Sequence, residues 1–164
     1  MYRTAEFVSP KHPDKICDRI SDKILDYCLT QDRDARVAVE TMGGHGHIYV
    51  NGEITINSDK EIPVPHLVEE VLETSDLLRT TQVNIVKQSP EIGRGVDKGG
   101  AGDQGIMVGY ACDENDEMVP QEYYLARSLC RYVYERFPYD GKTQITISEN
   151  HTIVAIICSF QNVV

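Results

Sequence analysis

The chain has 164 residues, 41% hydrophobic and 26% charged, with no low-complexity tract, so it can bury the core of one domain or slightly more. Its 16 Lys and Arg stand against 26 Asp and Glu, a formal net charge of −10. That balance excludes a basic surface for nucleic acid or anionic membrane, and any phosphate must be held locally by helix ends, a few placed cations or a bridging metal.

Residues 5–9 (AEFVS) predict a short strand, stopped by Pro10, Lys11, His12 and Pro13. A helix follows from Pro13 to about Asp32, because Ile16, Cys17, Ile20, Ile24 and Cys28 recur at helical spacing and Pro13 suits a first turn. Arg36–Met42 and His47–Thr55 are β-branched, alternating runs joined by Gly43, Gly44, His45 and Gly46, which predicts a hairpin with a loop of about four residues. Helix returns at Pro65–Glu73, with Leu67, Val68, Val71 and Leu72 on one face, and strand at Gln82–Gln88. Seven of the 12 glycines then fall between positions 93 and 109, a density that describes either an inert linker or a flexible loop whose backbone approaches a ligand.

Ile106–Cys112 predicts another strand, and DENDEMVP is a polar connection that divides a first domain, 1–115, from a second, 116–164. In the second, a helix at Gln121–Phe137 aligns Leu125, Leu129, Val133 and Phe137, with Tyr123, Tyr124, Tyr132 and Tyr134 read as packing. Strands follow at Thr143–Ser148 and Thr152–Phe160, the last apolar on both faces and so expected to be covered on both sides. One helix on a two-stranded hairpin is too small to close its own core, so the second domain reads as incomplete. The expected class is α/β (α+β), a mixed sheet with helices on one face. Because apolar residues such as Val37, Val39, Ile48, Val50, Ile54, Ile85, Ile106 and Val108 recur along the strands, the uncovered face is expected to need a partner chain.

Five cysteines, Cys17, Cys28, Cys112, Cys130 and Cys158, lack Cys-x-x-Cys spacing, which argues against a disulfide framework or structural zinc and for a reduced, cytoplasmic setting. The opening MYRTAEFVSP has no apolar signal core, and Thr152–Phe160 is about half the ~20 residues that a membrane-spanning helix needs.

Chemistry concentrates before the first helix, where His12, Asp14 and Lys15 place an imidazole, a carboxylate and an ammonium around a helix N-terminus able to receive an anion. Taken alone, a His before a helix is most often a surface cap, and Asp14 there reads as dipole stabilisation of the first turn. The glycine-rich segment has neither a GKS/GKT phosphate loop nor a dinucleotide-binding GxGxxG. His45 and His47 are two apart but have no matching carboxylate or Cys, so they read as hairpin residues. Glu40 and Glu53 stand in apolar strands; each faces solvent or, if inward, needs a cation.

The blocks HPDKICDRISD (12–22), ARVAVET (35–41), GEIT (52–55), KQSPEI (87–92), GVD (95–97), GAGDQGIMVGYA (100–111) and DGKTQITI (140–147), in this order, closely resemble the amino-terminal part of S-adenosylmethionine synthetase, or methionine adenosyltransferase. That family joins methionine to ATP: sulfur attacks C5′, the triphosphate leaves and is then cleaved to pyrophosphate and phosphate. The resemblance implies that His12 donates to the leaving oxygen, that Asp14 ligates one of two Mg²⁺, and that Lys15 and Lys142 contact ATP or its triphosphate with Asp140 beside the nucleotide. It likewise implies Glu40 as a K⁺ ligand and Glu53, Gln88 and Asp103 as methionine-side groups. The stretch Gln88, Ser89, Pro90, Glu91, Ile92, Gly93, Arg94, Gly95, Val96, Asp97 and Lys98 corresponds to the family's mobile lid. The match departs at Pro10 and Lys11, where Glu-Gly is usual, at Glu91 for Asp, and at a two-residue connection, Lys98 and Gly99, before GAGDQG. The family's GLTGRK-type and GGGAFSGKD-type segments are absent from these 164 residues. The resemblance therefore implies ATP and L-methionine as substrates, with a homo- or hetero-oligomer in which a second polypeptide supplies the missing half of the site. The alternatives are a non-catalytic binding or regulatory paralogue and an inactive truncated fragment.

Overall fold

A computed structural model describes residues 1–72, 78–102 and 104–162. The elements are β1 (Tyr2–Val8), α1 (Pro13–Gln31), β2 (Arg36–Gly44), β3 (Gly46–Thr55), α2 (Val64–Leu72), β4 (Leu78–Val86), α3 (Pro90–Val96), α4 (Gln121–Tyr134), β5 (Gly141–Ser148) and β6 (Ile153–Phe160). They form two compact units, residues 16–106 and residues 1–15 with 107–164.

In the unit 16–106 the sheet order is β2-β3-β4, with β2 antiparallel and β4 parallel to β3. A parallel neighbour needs a crossover, and α2 supplies it. Both helices bury their apolar stripes on one face: Ile16, Ile20, Ile24 and Cys28 of α1 and Val64, Leu67, Val68 and Val71 of α2 meet Ile48, Val50 and Ile54 of β3. Strand alternation brings Val37, Val39 and Ile85 to this same core, so the recurrent apolar positions do not divide between faces as expected. The opposite face carries Glu40, Asn51, Glu53 and Asn84, with Met42, Tyr49 and Val86 as its exposed apolar members.

The hairpin is tighter than its glycine run suggests. Gly44 pairs with His47, leaving His45 and Gly46 as a two-residue turn with both φ positive, at 50° and 84°. This is a type I′ turn, whose twist matches that of the flanking strands. His47 stacks on Tyr49 with ring centroids 6.3 Å apart. At Gly52, φ is 153° and a Cβ would collide with the Ala38 carbonyl oxygen, so β2 and β3 approach there only because the residue is glycine.

The expected strand at Ile106–Cys112 does not form. These residues have no regular structure, and Ile106, Met107, Val108 and Tyr110 are exposed. Their apolar content fits a strand, but Gly105 and Gly109 loosen the backbone and no described strand pairs with them. The expected lid, by contrast, contains the short helix α3, whose Ser89 hydroxyl accepts from Ile92 N–H at 3.3 Å.

In the other unit the sheet order is β1-β5-β6, all antiparallel, with Tyr2 opposite Ser148 and Val8 opposite Lys142. Helix α4 covers one face through Ala126, Leu125 and Leu129 on Phe7, Ile145 and Ile147. The buried Thr143 hydroxyl donates to Ala126 O at 2.7 Å. Tyr123 packs edge-on against Phe7, as expected, but Tyr132 lies outside under the Arg136 guanidinium. Strand β6 departs from expectation: it is an edge of this sheet, and Ile153, Val154, Ile156 and Ile157 are exposed. None of the five cysteines forms a disulfide.

Arg3 fixes the start of this unit by a bidentate pair with Glu114, at 2.6 and 2.7 Å. The hydrogen bond from Arg3, followed by that from Gln121 N–H, holds the Glu114 carboxyl at about 2, below its ordinary 4.5. A carboxyl depressed in the folded state adds stability above its unfolded value, and that stability is lost as pH falls through the folded one. Acid unfolding between about pH 4.5 and 2 is therefore expected to be shallower for Glu114→Gln than for the unaltered chain. Equal slopes in circular-dichroism titrations would show that the pair contributes nothing.

Candidate functional site

The turn Val8–Pro13 and the start of β5 are joined through Ser9. Ser9 N–H donates to Gly141 O at 2.8 Å, Gly141 N–H donates to Ser9 Oγ at 3.0 Å, and Ser9 Oγ donates to Tyr139 O at 3.0 Å. Ser9 O in turn accepts from His12 N–H at 3.0 Å. A fully buried serine thus sets His12 beside the Asp140-Gly141-Lys142 segment. Sequence reasoning missed Ser9. Its partners lie 130 and 132 residues away, and a serine before a proline at a strand end gives no signal of them.

His12, Asp140, Gly141, Lys142, Ser159, Phe160 and Gln161 line a depression of about 260 Å³. Small-molecule sites commonly measure about 300–1,000 Å³, so this one has room for part of a nucleotide. The His12 Nδ1 accepts from Asp14 N–H at 3.2 Å, capping α1. With its Nδ1 lone pair engaged, the neutral ring carries its proton on Nε2, which leaves a donor for a ligand. The Asp14 carboxylate lies 3.6 Å from Nδ1 and is largely exposed, and Lys15 is also at the surface of the first turn.

Asp140 Oδ2 accepts from Gln161 Nε2 at 3.2 Å, while Asp140 Oδ1 is buried with no hydrogen-bond partner. A desolvated carboxylate oxygen without a donor is costly. Lys142 is held by Glu6 at 2.6 Å, yet 43% of its side chain is accessible, enough to meet an anion. His12, Asp140 and Lys142 are therefore brought together.

The remaining expected residues that the structure describes lie in the other unit. Glu40 and Glu53 share the sheet face away from the helices, opposite Asn51 and Ala38 respectively. Glu53 is also opposite Val86, two residues before Gln88. Gln88 is half-buried and its Oε1 accepts from Arg36 Nε at 2.8 Å. Asp103 lies outside the described residues. Among the described residues no three His, Cys, Asp or Glu side chains form a group able to hold a metal by themselves.

A mixed-sheet α/β chain with this turn and this polar depression matches two domain models of one enzyme family. The description "S-adenosylmethionine synthetase, N-terminal domain" fits residues 1–92, and "S-adenosylmethionine synthetase, central domain" fits residues 98–163. The chain belongs to the S-adenosylmethionine synthetase family. It is 40% identical to S-adenosylmethionine synthase 1 of Rhodospirillum rubrum over 163 residues, covering 88% of this chain and 43% of the relative. It is 39% identical to S-adenosylmethionine synthase of Treponema denticola over 171 residues, covering 89% and 44%. It is also similar to the solved structure of an unusual S-adenosylmethionine synthetase from Campylobacter jejuni, with TM-score 0.79 and 30% identity over 99% of this chain and 49% of that one. The chain thus spans less than half the length of the curated relatives it matches. Among the described residues no helix is long and apolar enough to cross a membrane.

Proposed function

We propose that this chain carries part of a methionine adenosyltransferase site, which forms S-adenosylmethionine from ATP and L-methionine with release of pyrophosphate and phosphate. The observation that carries this reading is the convergence of His12, Asp140 and Lys142 on one depression. The Asp140 carboxylate suits a ribose hydroxyl or base amine, and Lys142 and Lys15 suit phosphate oxygens. A thioether is a modest nucleophile and triphosphate a heavily charged leaving group, so catalysis rests on alignment and on stabilising the departing oxygen. His12 Nε2–H is the donor for that oxygen. Glu53, Gln88 and Asp103 serve methionine, and residues 88–98 form the lid that excludes water.

Asp14 fits Mg²⁺ in one respect: Mg²⁺ is commonly held by one or two carboxylates with substrate phosphates completing the shell, and this carboxylate is exposed beside His12. When bound, the ion offsets charge on the triphosphate. Glu40 is the K⁺ ligand in the same proposal, its carboxylate lying on the open sheet face. Cysteines that form no disulfide accord with a cytoplasmic protein.

A 260 Å³ depression holding one neutralising lysine does not enclose a triphosphate, so polypeptide beyond these residues completes the site, as a partner subunit or further chain. The exposed β6 and the apolar residues Met42 and Tyr49 are surfaces for such assembly. Residues 1–164 alone, given ATP, methionine, Mg²⁺ and K⁺, are expected to make no S-adenosylmethionine by chromatographic assay while still binding ATP weakly. Steady turnover by these residues alone would overturn the incomplete-site reading, and failure to bind ATP would favour a non-catalytic role or an inactive fragment.

A further inference from the structure

Arg36 belongs to neither hydrophobic core, and in the block ARVAVET (35–41) that contains it only Glu40 was expected to have a role. It opens β2 opposite Thr55 of β3. Its guanidinium donates twice to one segment: Nε to Gln88 Oε1 at 2.8 Å and Nη1 to Asp97 Oδ1 at 2.6 Å. These two partners enclose α3, and the third nitrogen lies under it. A Cβ on the buried Gly93 would come within 3.3 Å of Arg36 Nη2. The nearby carboxylate of Asp32 is already engaged, Oδ1 by Asp34 N–H at 3.0 Å and Oδ2 by Asn57 N–H at 2.8 Å. The hydrogen bonds of Arg36 thus go to the segment 88–97, and Asp32 adds a longer-range attraction.

We infer that Arg36 is a positioning residue that closes the base of the 88–98 segment and fixes which end of the Gln88 amide a ligand meets. A guanidinium has donors only, so the amide oxygen must face it and the NH₂ is turned away. The group that Gln88 serves is consequently an acceptor, such as a carboxylate or carbonyl oxygen. Lysine cannot replace the fork, because one ammonium on a flexible stem does not reach two separated partners with fixed geometry. The inference rests on the proposed assignment of Gln88 to the methionine side only for its kinetic consequence; the clamp itself rests on the contacts.

The test uses the assembled enzyme carrying Arg36→Lys, with Asp97→Asn as a milder variant that keeps the Gln88 contact. Hydrogen exchange by mass spectrometry is expected to show about tenfold faster exchange across residues 90–97 in Arg36→Lys and a smaller rise in Asp97→Asn, with the rest of the unit unchanged. Unchanged exchange in folded Arg36→Lys overturns the clamp. Kinetically, the methionine KM is expected to rise about tenfold while the ATP KM changes less than about twofold, a split that general loosening of the fold would not give. Faster exchange with an unaltered methionine KM overturns the positioning of Gln88. If the unaltered assembly forms no S-adenosylmethionine, the reaction reading fails, and the exchange result alone decides the clamp.

Discussion

His12→Asn in the assembled enzyme is expected to slow formation of the carbon–sulfur bond by about a hundredfold to a thousandfold, the usual loss when one donor to a developing oxyanion is removed. The structure explains why asparagine is the informative substitution. His12 uses Nδ1 to accept from Asp14 N–H, and an asparagine side-chain oxygen can take over that capping bond because asparagine is among the preferred residues at a helix start. The first turn of α1, with Asp14 and Lys15, is thereby kept. What asparagine cannot reproduce is the donor at Nε2, one ring-width further out. The charge this donor meets develops only as the triphosphate leaves, so the loss falls on the chemical step rather than on methionine binding. Rapid-quench single-turnover measurements separate the two. An unchanged single-turnover rate combined with weak ATP affinity would reduce His12 to a binding group.

Both roles of His12 weighed from the sequence are compatible in one side chain, since cap and donor use different ring nitrogens. The helices were legible for a simple reason: Ile16, Ile20, Ile24 and Cys28 keep one face of α1, and Leu67, Val68 and Val71 one face of α2, whatever lies elsewhere in the chain. Strands are less self-contained. The apolar run at Ile106–Cys112 is rich enough in Ile, Val and Tyr for a strand, but a strand exists only where a neighbour accepts its hydrogen bonds, and composition alone does not reveal the neighbour. The pairing of β1 with β5 was hidden for the same reason, as Val8 and Lys142 are far apart in the chain. The type I′ turn at His45 and Gly46 was obscured by the glycines before it, which extend β2 instead of lengthening the loop. Site residues inside sequence blocks were visible as types. The groups that hold them, Ser9 and Arg36, were not, because their significance lies wholly in distant partners.

Ser9 offers the second large expected effect. Its hydroxyl is fully buried and makes two hydrogen bonds, accepting from Gly141 N–H and donating to Tyr139 O. Ser9→Ala removes both and adds no bulk, leaving a backbone donor and a backbone acceptor without their side-chain partner. Leaving such groups unsatisfied away from water costs about 1–3 kcal/mol. Water entry through the adjoining depression would relieve part of that cost, which sets the lower end of the range. The same hydroxyl fixes the backbone between Asp140 and Lys142, so the variant is also expected to weaken ATP binding more than methionine binding. Cysteine at this position restores only a weak donor and acceptor and should fall between serine and alanine. Urea unfolding of the three proteins, read beside ATP titration, checks both halves. A Ser9→Ala stability within about 0.5 kcal/mol of the unaltered chain, the size of an ordinary surface change, would mean that the β1–β5 backbone pairing alone holds His12 beside the Asp140-Gly141-Lys142 segment.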